Sequence, residues 1–258
     1  MRTDKLSLLI LMSLMLTYTS ISMAVTPGVD EHVKLYLKFD EGKGDEVEDL
    51  SGNNNNGTIT GAKWVEGKFG KALEFNGAAN ADAKVNYVEI LGSESLDITD
   101  NITIEAWVNP TDIDCGYVLL KQGSYGAPKF VANTYQFYLN VAGQTIVNEI
   151  AGKITPDTWQ HCAAVYDGEE MRQYLNGELV FNKAQAGAID ITANKVTIGN
   201  SFGWHASGGK NFMGRIDEVR VSDIARTVNE IRESMKGYIA AVDPDEKLAV
   251  RWGSIKKN

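Results

Sequence analysis

The chain has 258 residues and a formal net charge of −9, from 25 basic and 34 acidic side chains. Apolar residues make up 43% of it, which is enough to fill the core of one sizeable domain. No stretch is basic enough to attract phosphates, so the charge argues against nucleic acid and anionic lipid as partners.

Residues 1–24 have the pattern of a signal peptide. A positively charged start precedes an apolar run over residues 6–16, and Ser22-Met23-Ala24 offers small residues for cleavage before Val25. The run is about 11 residues long, whereas a bilayer-spanning helix needs about 20. We therefore expect a secreted or surface-displayed protein with no membrane span in the mature chain; an uncleaved N-terminal anchor is the alternative.

From residue 34 onward, apolar and polar side chains alternate in short segments separated by Gly, Asn and Asp. This period of two is typical of β-strands that bury one face. The alternating segments are 35–39, 72–75, 87–90, 102–108, 117–120, 135–141, 145–150, 159–166, 171–175, 178–181, 195–198 and 215–221. Their length and spacing predict an all-β fold, an antiparallel two-sheet jelly-roll sandwich over residues 25–237.

Two local motifs refine this prediction. Asn176-Gly177 lies between two alternating runs and predicts a two-residue hairpin turn, because both residues tolerate positive φ angles. Thr227 and Glu230 have the spacing of a capping box and precede an apolar stripe that ends at Gly237, which predicts one short C-terminal helix. Residues 238–258 are predicted to form a tail outside the sandwich.

The two cysteines, Cys115 and Cys162, leave two alternatives open. An exported protein can join such a pair in a disulfide, or it can bury them as separate thiols. Their sequence spacing does not fix the distance between Cα atoms that a disulfide requires. Structural zinc is disfavoured, because it takes four ligands and the chain contains no C-x-x-C.

Eight stretches occur in the order found in one fold family. They are LYLKFDEGKG (35–44), DLSGNNNNGTITGAKW (49–64), GKFGKALEFNG (67–77), YVEI (87–90), ITIEAWVNP (102–110), TWQHCAAVYDG (158–168), YLNGELV (174–180) and GRIDEVRVSD (214–223). Together they resemble the laminin G-like, concanavalin A-like jelly rolls of bacterial exported proteins, with pentraxins and laminarinase-type β-glucanases as more distant relatives. The resemblance implies the fold more than the ligand, because this sandwich carries lectins, adhesion modules and hydrolases alike.

The resemblance to β-glucanases raises the question of catalysis. Those enzymes carry their acid and nucleophile on one strand as E-x-D-x-x-E, where alternate carboxylates share a face. The present sequence has no such run, and the nearest acidic cluster, residues 46–49, has the wrong spacing. It also has no G-x-S-x-G and no H-E-x-x-H. We expect no enzymatic activity, with a hydrolase built from scattered residues as the alternative.

Asp217 is a candidate metal ligand. The period of two places it on the apolar face of Val219 and Val221, where an ionised carboxylate needs a hydrogen-bond donor, an arginine or a cation as partner. In the relatives that the chain resembles, the matching aspartate is commonly a ligand of a structural calcium ion.

The same resemblance implies the rest of a calcium site, from the end of the first strand and the loop after residue 49. The implied ligands are Asp217, Asp40, Asp49, Gly52 and Asn54. Carboxylate, amide and backbone oxygens suit calcium, which takes six to eight of them. In the alternative, Asp217 accepts hydrogen bonds from backbone amides and Asp49 forms an Asx turn.

Loop aromatics are the candidate ligand contacts, since aromatic rings in polar loops can stack on sugar faces. Phe202, Trp204 and His205 lie among glycines in residues 199–214, and Tyr125 lies in a segment that also reads as a loop. In the alternative, these rings pack down as loop anchors.

The sequence therefore predicts a non-catalytic, exported module that is carbohydrate-binding or adhesive, with a polysaccharide or glycoconjugate as its partner and a structural calcium ion. A protein-interaction or structural domain that recognises a surface protein is the second hypothesis, and a glycan hydrolase is the third.

Overall fold

The computed structural model describes residues 29–77, 86–200 and 211–237. The predicted signal peptide (1–24) and tail (238–258) lie outside these residues. The strands are β1 Val33–Leu37, β2 Glu46–Val47, β3 Gly57–Thr60, β4 Lys63–Glu66, β5 Lys71–Asn76, β6 Tyr87–Ile90, β7 Ile102–Pro110, β8 Gly116–Tyr117, β9 Leu119–Lys121, β10 Tyr125–Val131, β11 Thr134–Val141, β12 Gln144–Ala151, β13 Gln160–Tyr166, β14 Glu170–Leu175, β15 Glu178–Ala184, β16 Val196–Ile198 and β17 Met213–Ser222. The helices are a 3₁₀ turn, Glu94–Leu96, and α1, Val228–Ser234.

The strands form two antiparallel sheets. The eight-stranded sheet has the order β15-β14-β13-β7-β17-β5-β4, and β1 also pairs with β17. The nine-stranded sheet has the order β12-β11-β10-β9-β16-β6-β3-β2, and β8 also pairs with β10. Alternate residues of both sheets fill the core between them, such as Ile104 and Val108 of β7 and Phe137 and Leu139 of β11. This arrangement confirms the predicted jelly-roll sandwich.

A bulge in β17 decides which of its residues reach the core. Ile216 and Val219 both belong to the core, although they are three positions apart. The register with β7 shifts between Asp217 and Arg220, and Glu218 at the bulge has a φ of +52°. The prediction that Asp217 shares a face with Val219 is wrong, because the extra residue turns Asp217 to the outer face of the sheet.

Helix α1 lies on the outer face of the eight-stranded sheet. Its capping box is present: Glu230 N donates to Thr227 Oγ1 (3.3 Å) and Thr227 N donates to Glu230 Oε2 (2.8 Å). Ile231 is fully buried against Ala163 and Val165 of β13. The predicted C-terminal helix is therefore confirmed, and no helix among the described residues is long and apolar enough to cross a membrane.

The predicted hairpin and one of the two cysteine alternatives also match the structure. Asn176 and Gly177, at φ of +50° and +74°, join β14 to β15 as the sequence indicates. Cys115 and Cys162 both lie in the core as buried thiols, and no disulfide joins them.

We expect Thr227→Ala to lower the free energy of unfolding by about 1 kcal/mol, because the backbone N–H of Glu230 loses its acceptor at the helix N-terminus. Thr227→Ser keeps the hydroxyl and should retain most of the stability. Urea denaturation of both variants checks this, and equal losses would show that the hydroxyl is not what matters.

Candidate ligand-binding site

The outer face of the eight-stranded sheet is covered at one end by the segment that contains α1. Thr103 of β7 donates its hydroxyl hydrogen to the carbonyl oxygen of Ile224 (2.7 Å), just before the helix. Two residues along β7, Glu105 accepts a hydrogen bond from Ser234 of α1 (2.7 Å). The start of β7 is therefore closed to ligands.

The middle of this face is covered by the turn between β4 and β5, residues 67–70. Phe69 in the turn packs edge-on against Trp107 of β7, with ring centres 6.1 Å apart. The Lys68 ammonium lies 4.3 Å from the centre of the Trp107 ring. Asp217 holds the turn in place, because its Oδ2 accepts the backbone N–H groups of Lys68 (2.9 Å) and Phe69 (3.0 Å).

Beyond Trp107 the face opens into a cleft of about 470 Å³. The cleft is lined by Gly61, Lys63, Glu74, Phe75, Asn76, Asn86, Thr111, Met213 and Gly214. It lies where β17 and β4 begin and β5 ends. Its volume is within the range of small-ligand sites.

Strand pairing aligns four polar side chains in one row beside the cleft. Lys63 of β4 pairs with Glu74 of β5, Glu74 pairs with Arg215 of β17, and Arg215 pairs with Asn109 of β7. Residues that pair directly share a face of the sheet, so these side chains all point outward. Arg215 Nε and Glu74 Oε1 are 3.6 Å apart.

A second row combines an apolar side chain with amides and a hydroxyl. Met213 pairs with Asn76 across β17 and β5, and it is 37% exposed. Gly77, with a φ of +65°, makes room for it, since a Cβ there would lie 2.6 Å from Met213 Cβ. Asn86 is oriented by the bond from Asn76 N to its Oδ1 (3.1 Å), and Thr111 is placed by the bond from its N–H to the carbonyl oxygen of Met213 (3.0 Å). The cleft therefore offers fixed polar groups around one apolar contact.

The sequence matches the model of the concanavalin A-like lectin/glucanases superfamily over residues 82–232, more than half of the chain. The chain belongs to this superfamily. The match covers β6 to α1 and so includes Asn86, Thr111, Met213 and Gly214 of the cleft, whereas β4 and β5 lie outside it. No curated protein matches the sequence.

Solved structures support the same fold. The binding domain of Paraclostridial Mosquitocidal Protein 1 is 18% identical at a TM-score of 0.63, covering 80% of this chain and 52% of that one. Domain 4 of AbnA, a GH43 extracellular arabinanase from Geobacillus stearothermophilus solved in complex with arabinotriose, is 20% identical at a TM-score of 0.62, covering 78% and 97%. The binding domain of Botulinum neurotoxin DC, solved in complex with rat synaptotagmin II, is 13% identical at a TM-score of 0.62, covering 81% and 52%. The chain thus spans about half the length of the toxin binding domains.

The prediction that Tyr125 is an exposed loop contact is wrong. It begins β10, is fully buried, and donates its hydroxyl hydrogen to the carbonyl oxygen of Leu96 (3.1 Å). The segment reads as a loop because Gly126 and Pro128 interrupt it, but the register shift between Gly126 and Lys129 keeps both within a strand. The other predicted contacts, Phe202, Trp204 and His205, lie outside the described residues.

The outer face of the nine-stranded sheet also carries aromatic rings. Tyr117 and Tyr138 meet edge-on with ring centres 6.2 Å apart, and Leu120 completes their cluster. The two tyrosines are only 2% and 3% exposed, so neither ring presents a face on which a sugar could stack.

The aspartates predicted to bind calcium instead hold backbone amides. Asp217 does so in the turn, and Asp40 Oδ1 accepts the N–H of Lys71 at the end of that turn (2.9 Å). Asp49 is satisfied on both oxygens, since Oδ1 accepts from Tyr36 N (2.9 Å) and Oδ2 accepts from Asn55 N (2.9 Å). These contacts match the alternative prediction, in which Asp217 accepts hydrogen bonds from backbone amides and Asp49 forms an Asx turn.

The five implied ligands do not fit one calcium site. Gly52 and Asn54 belong to the loop around Asp49, whereas Asp217 contacts the turn at residues 67–70 and Asp40 contacts Lys71 at the start of β5. Asp217 Oδ1 and Glu218 Oε1 are buried without a hydrogen-bond partner, but calcium takes six to eight oxygens. Within residues 29–77, 86–200 and 211–237, no three acidic, histidine or cysteine side chains are arranged to hold a metal.

A serine, a histidine and a glutamate meet beneath α1, but their geometry does not suit catalysis. Ser234 donates its hydroxyl hydrogen to Glu105 (2.7 Å), and His161 Nε2 is 4.0 Å from the same carboxylate oxygen. The serine therefore contacts the glutamate and not the histidine, so the order of nucleophile, histidine base and orienting carboxylate is not formed. Burial, with the charge of Arg220, lowers the pKa of His161 to about 3, and all three side chains are closed to substrate.

A second cleft, of about 330 Å³, lies near the 3₁₀ turn. Its lining is strongly acidic, and it includes Glu94, Asp97, Asp100 and Asp223. Two of these carboxylates already have cationic partners: Asp97 pairs with Lys121, and Asp223 pairs with Lys34 (2.9 Å). This cleft has little apolar surface, so the cleft at Met213 is the better candidate site.

The residues of the candidate site carry little sequence signal. Lys63, Glu74 and Met213 are far apart in sequence and belong to no motif. Alternation counted from Val219 and Val221 puts Arg215 on the inner face, so its outward position depends on the bulge in β17, and only the pairing of β4, β5 and β17 brings these residues together.

We expect Asp217→Ala to lower the free energy of unfolding by about 2 kcal/mol, because two partly buried backbone N–H groups lose their acceptor. Asp217→Asn keeps one acceptor oxygen and should cost less. Urea denaturation measures both losses, and equal losses would argue against the amide contacts.

The contribution of the Asp217 carboxyl group to the free energy of unfolding should also depend on pH. Burial raises the pKa of Asp217 from 3.8 to about 8, so the folded protein keeps a proton that the unfolded chain releases. Its contribution to stability is complete below about pH 4 and is lost as pH rises to about 8, by at most about 1.4 kcal/mol per pH unit. Over this window, Asp217→Asn should therefore gain stability relative to wild type, as pH-dependent denaturation would measure.

We expect a chelator, or added calcium, to leave the thermal midpoint unchanged, because an ion bound only by the folded state would raise it. A midpoint that rises with calcium and falls with chelator would contradict this, and would restore the calcium site implied by the resemblance.

Proposed function

We propose that this chain is a non-catalytic, exported binding module that holds a polysaccharide or glycoconjugate in the cleft at Met213. The observation that carries the proposal is an open cleft of about 470 Å³ with an exposed thioether beside a row of outward polar side chains. Such a combination of apolar surface and a few fixed polar groups is typical of small-ligand sites.

The lining matches the chemistry of a sugar, which presents C–H groups on its faces and hydroxyl groups at its edges. Met213 supplies the apolar contact. The carboxylate of Glu74 can accept hydrogen bonds from hydroxyl groups, and the amides of Asn76 and Asn86 can both donate and accept them. Phe202, Trp204 and His205 are proposed as further contacts, since they lie in residues 201–210, which end three residues before Met213.

The cleft supports binding better than hydrolysis. Glycoside hydrolases place two carboxyl groups on opposite sides of the scissile bond. Among the described lining residues of this cleft, Glu74 is the sole carboxylate. The serine, histidine and glutamate under α1 are buried, so they add no reactive group to the site.

The relatives are compatible with this proposal. The arabinanase domain was solved with a trisaccharide, arabinotriose, and a Botulinum neurotoxin DC binding domain was solved with SialylT. Both are at most 20% identical to this chain, so they support the fold, and the ligand is argued from the cleft itself.

A protein ligand is the second candidate, favoured by one surface feature. Leu91 and Ile191 are 74% and 55% exposed, and the loops that carry them adjoin, since a Cβ on Gly92 would lie 3.4 Å from the carbonyl oxygen of Ala193. Exposed apolar side chains of this kind are common in protein interfaces.

A glycan array probed with the mature protein should show binding, and Met213→Ala should weaken it by about fivefold, which corresponds to about 1 kcal/mol of apolar contact. Leu179→Ala is the matched control, because Leu179 is an exposed apolar residue (52%) on the edge strand β15, and it should leave binding unchanged.

Binding that Met213→Ala leaves intact would move the site elsewhere. If that binding is lost with Trp204→Ala, the loop would be the site. No binding to any glycan, together with capture of a protein ligand that Leu91→Ser abolishes, would favour the second candidate.

A further inference from the structure

The polar row beside the cleft carries an excess of positive charge. Glu74 is flanked by two cations, Lys63 on β4 and Arg215 on β17, each paired with it in strand register. The row therefore has a local charge of +1, whereas the whole chain has a net charge of −9. One carboxylate cannot neutralise both neighbours.

The contacts show which of the two cations lies near Glu74 and which does not. Arg215 is the cation near Glu74, at 3.6 Å, and both side chains are about two-fifths exposed. Lys63 makes no ion pair within the part of the chain that the structure describes, although it lines the cleft. A guanidinium group also has five N–H donors, so Arg215 retains donors that do not face Glu74.

We propose that the ligand of this cleft carries a carboxylate on a sugar ring, so that the site recognises acidic sugar units, with Lys63 and Arg215 binding the carboxylate. The inference rests on the proposed function and adds the class of glycan. Hydrogen bonds between a cation and a carboxylate are about twice as strong as those between neutral groups. The acidic ligand would complete the neutralisation that Glu74 begins.

The acidic surface of the protein does not prevent this. At physiological ionic strength the Debye length is about 8 Å, so charges farther than that from the cleft are largely screened. The ligand carboxylate then interacts mainly with the charges that line the cleft. Lys63 and Glu74 are the charged residues among the described lining, and Arg215 is adjacent to Gly214.

The test compares acidic glycans with uncharged counterparts of the same structure. The probes are uronate oligosaccharides and sialylated glycans, each alongside its carboxyl-methylated form, titrated against the mature protein. We expect the acidic forms to bind about tenfold more tightly, as one charge-assisted hydrogen bond would give. Their affinity should also fall as salt is raised.

The variants separate a specific contact from a general charge effect. Lys63→Gln should lose most of the preference for the acidic forms, and Lys63→Arg should retain it because the charge remains. Lys183→Gln makes the same charge change on an exposed position of β15, away from the cleft, and should leave the preference intact.

Three outcomes overturn the inference, and they differ in what they imply for the proposed function. If the acidic and methylated forms bind equally and Met213→Ala weakens the binding of both, the cleft is a glycan site without specificity for acidic sugars. No binding of any of these probes would overturn the inference, and only the absence of binding to every glycan of the array would overturn the proposed function as well. If Lys183→Gln reduces the preference for the acidic forms as much as Lys63→Gln does, the preference comes from the net charge of the protein.

Discussion

The bulge at Glu218 is the constraint on which the outer face of the eight-stranded sheet depends. Without it, a strict alternation from Val219 and Val221 would direct Asp217 into the apolar space between the sheets, where an unpaired carboxylate is very costly. With it, Ile216 and Val219 both fill the core and Asp217 faces outward. The extra residue thus lets β17 fill the core with apolar side chains while the carboxylate of Asp217 reaches the outer face of the sheet.

The consequence is that Asp217 can anchor the turn over the middle of the sheet. By accepting two backbone N–H groups it holds Phe69 against Trp107, and the other end of the turn is fixed by Asp40. The outward residues of β7 are then covered in order, first by the segment around α1 and next by this turn. Asn109 lies past that cover, in register with Arg215, so the cleft begins where the covering elements end.

The sequence predicts the features of this fold that are local. Asn176-Gly177 and the Thr227–Glu230 capping box each depend on residues within four positions, and both are confirmed. The alternation predicts the strands, because burying one face of a sheet requires it. It fails at Asp217 and at Tyr125, where a bulge shifts the register, since a bulge is set by the neighbouring strands.

The candidate site could not be predicted in the same way. Alternation shows which residues of one strand share a face, but it does not show that β4, β5 and β17 lie side by side. The motif residues that suggested a metal site are used within the fold, because a buried carboxylate must find donors and backbone amides are nearest.

Most of the carboxylates discussed above bond within the fold and one lines the cleft, which explains why the cleft suits ligand binding. Asp49 has both carboxylate oxygens bonded to N–H donors of the fold, Asp40 and Asp217 each have one oxygen bonded in this way, and Glu105 accepts from Ser234. Glu74 is the carboxylate that lines the cleft, with a cation on either side of it. This lone carboxylate lacks a second acid opposite it, so it can accept hydrogen bonds but cannot share acid and base roles. The geometry therefore favours holding a ligand over cleaving it.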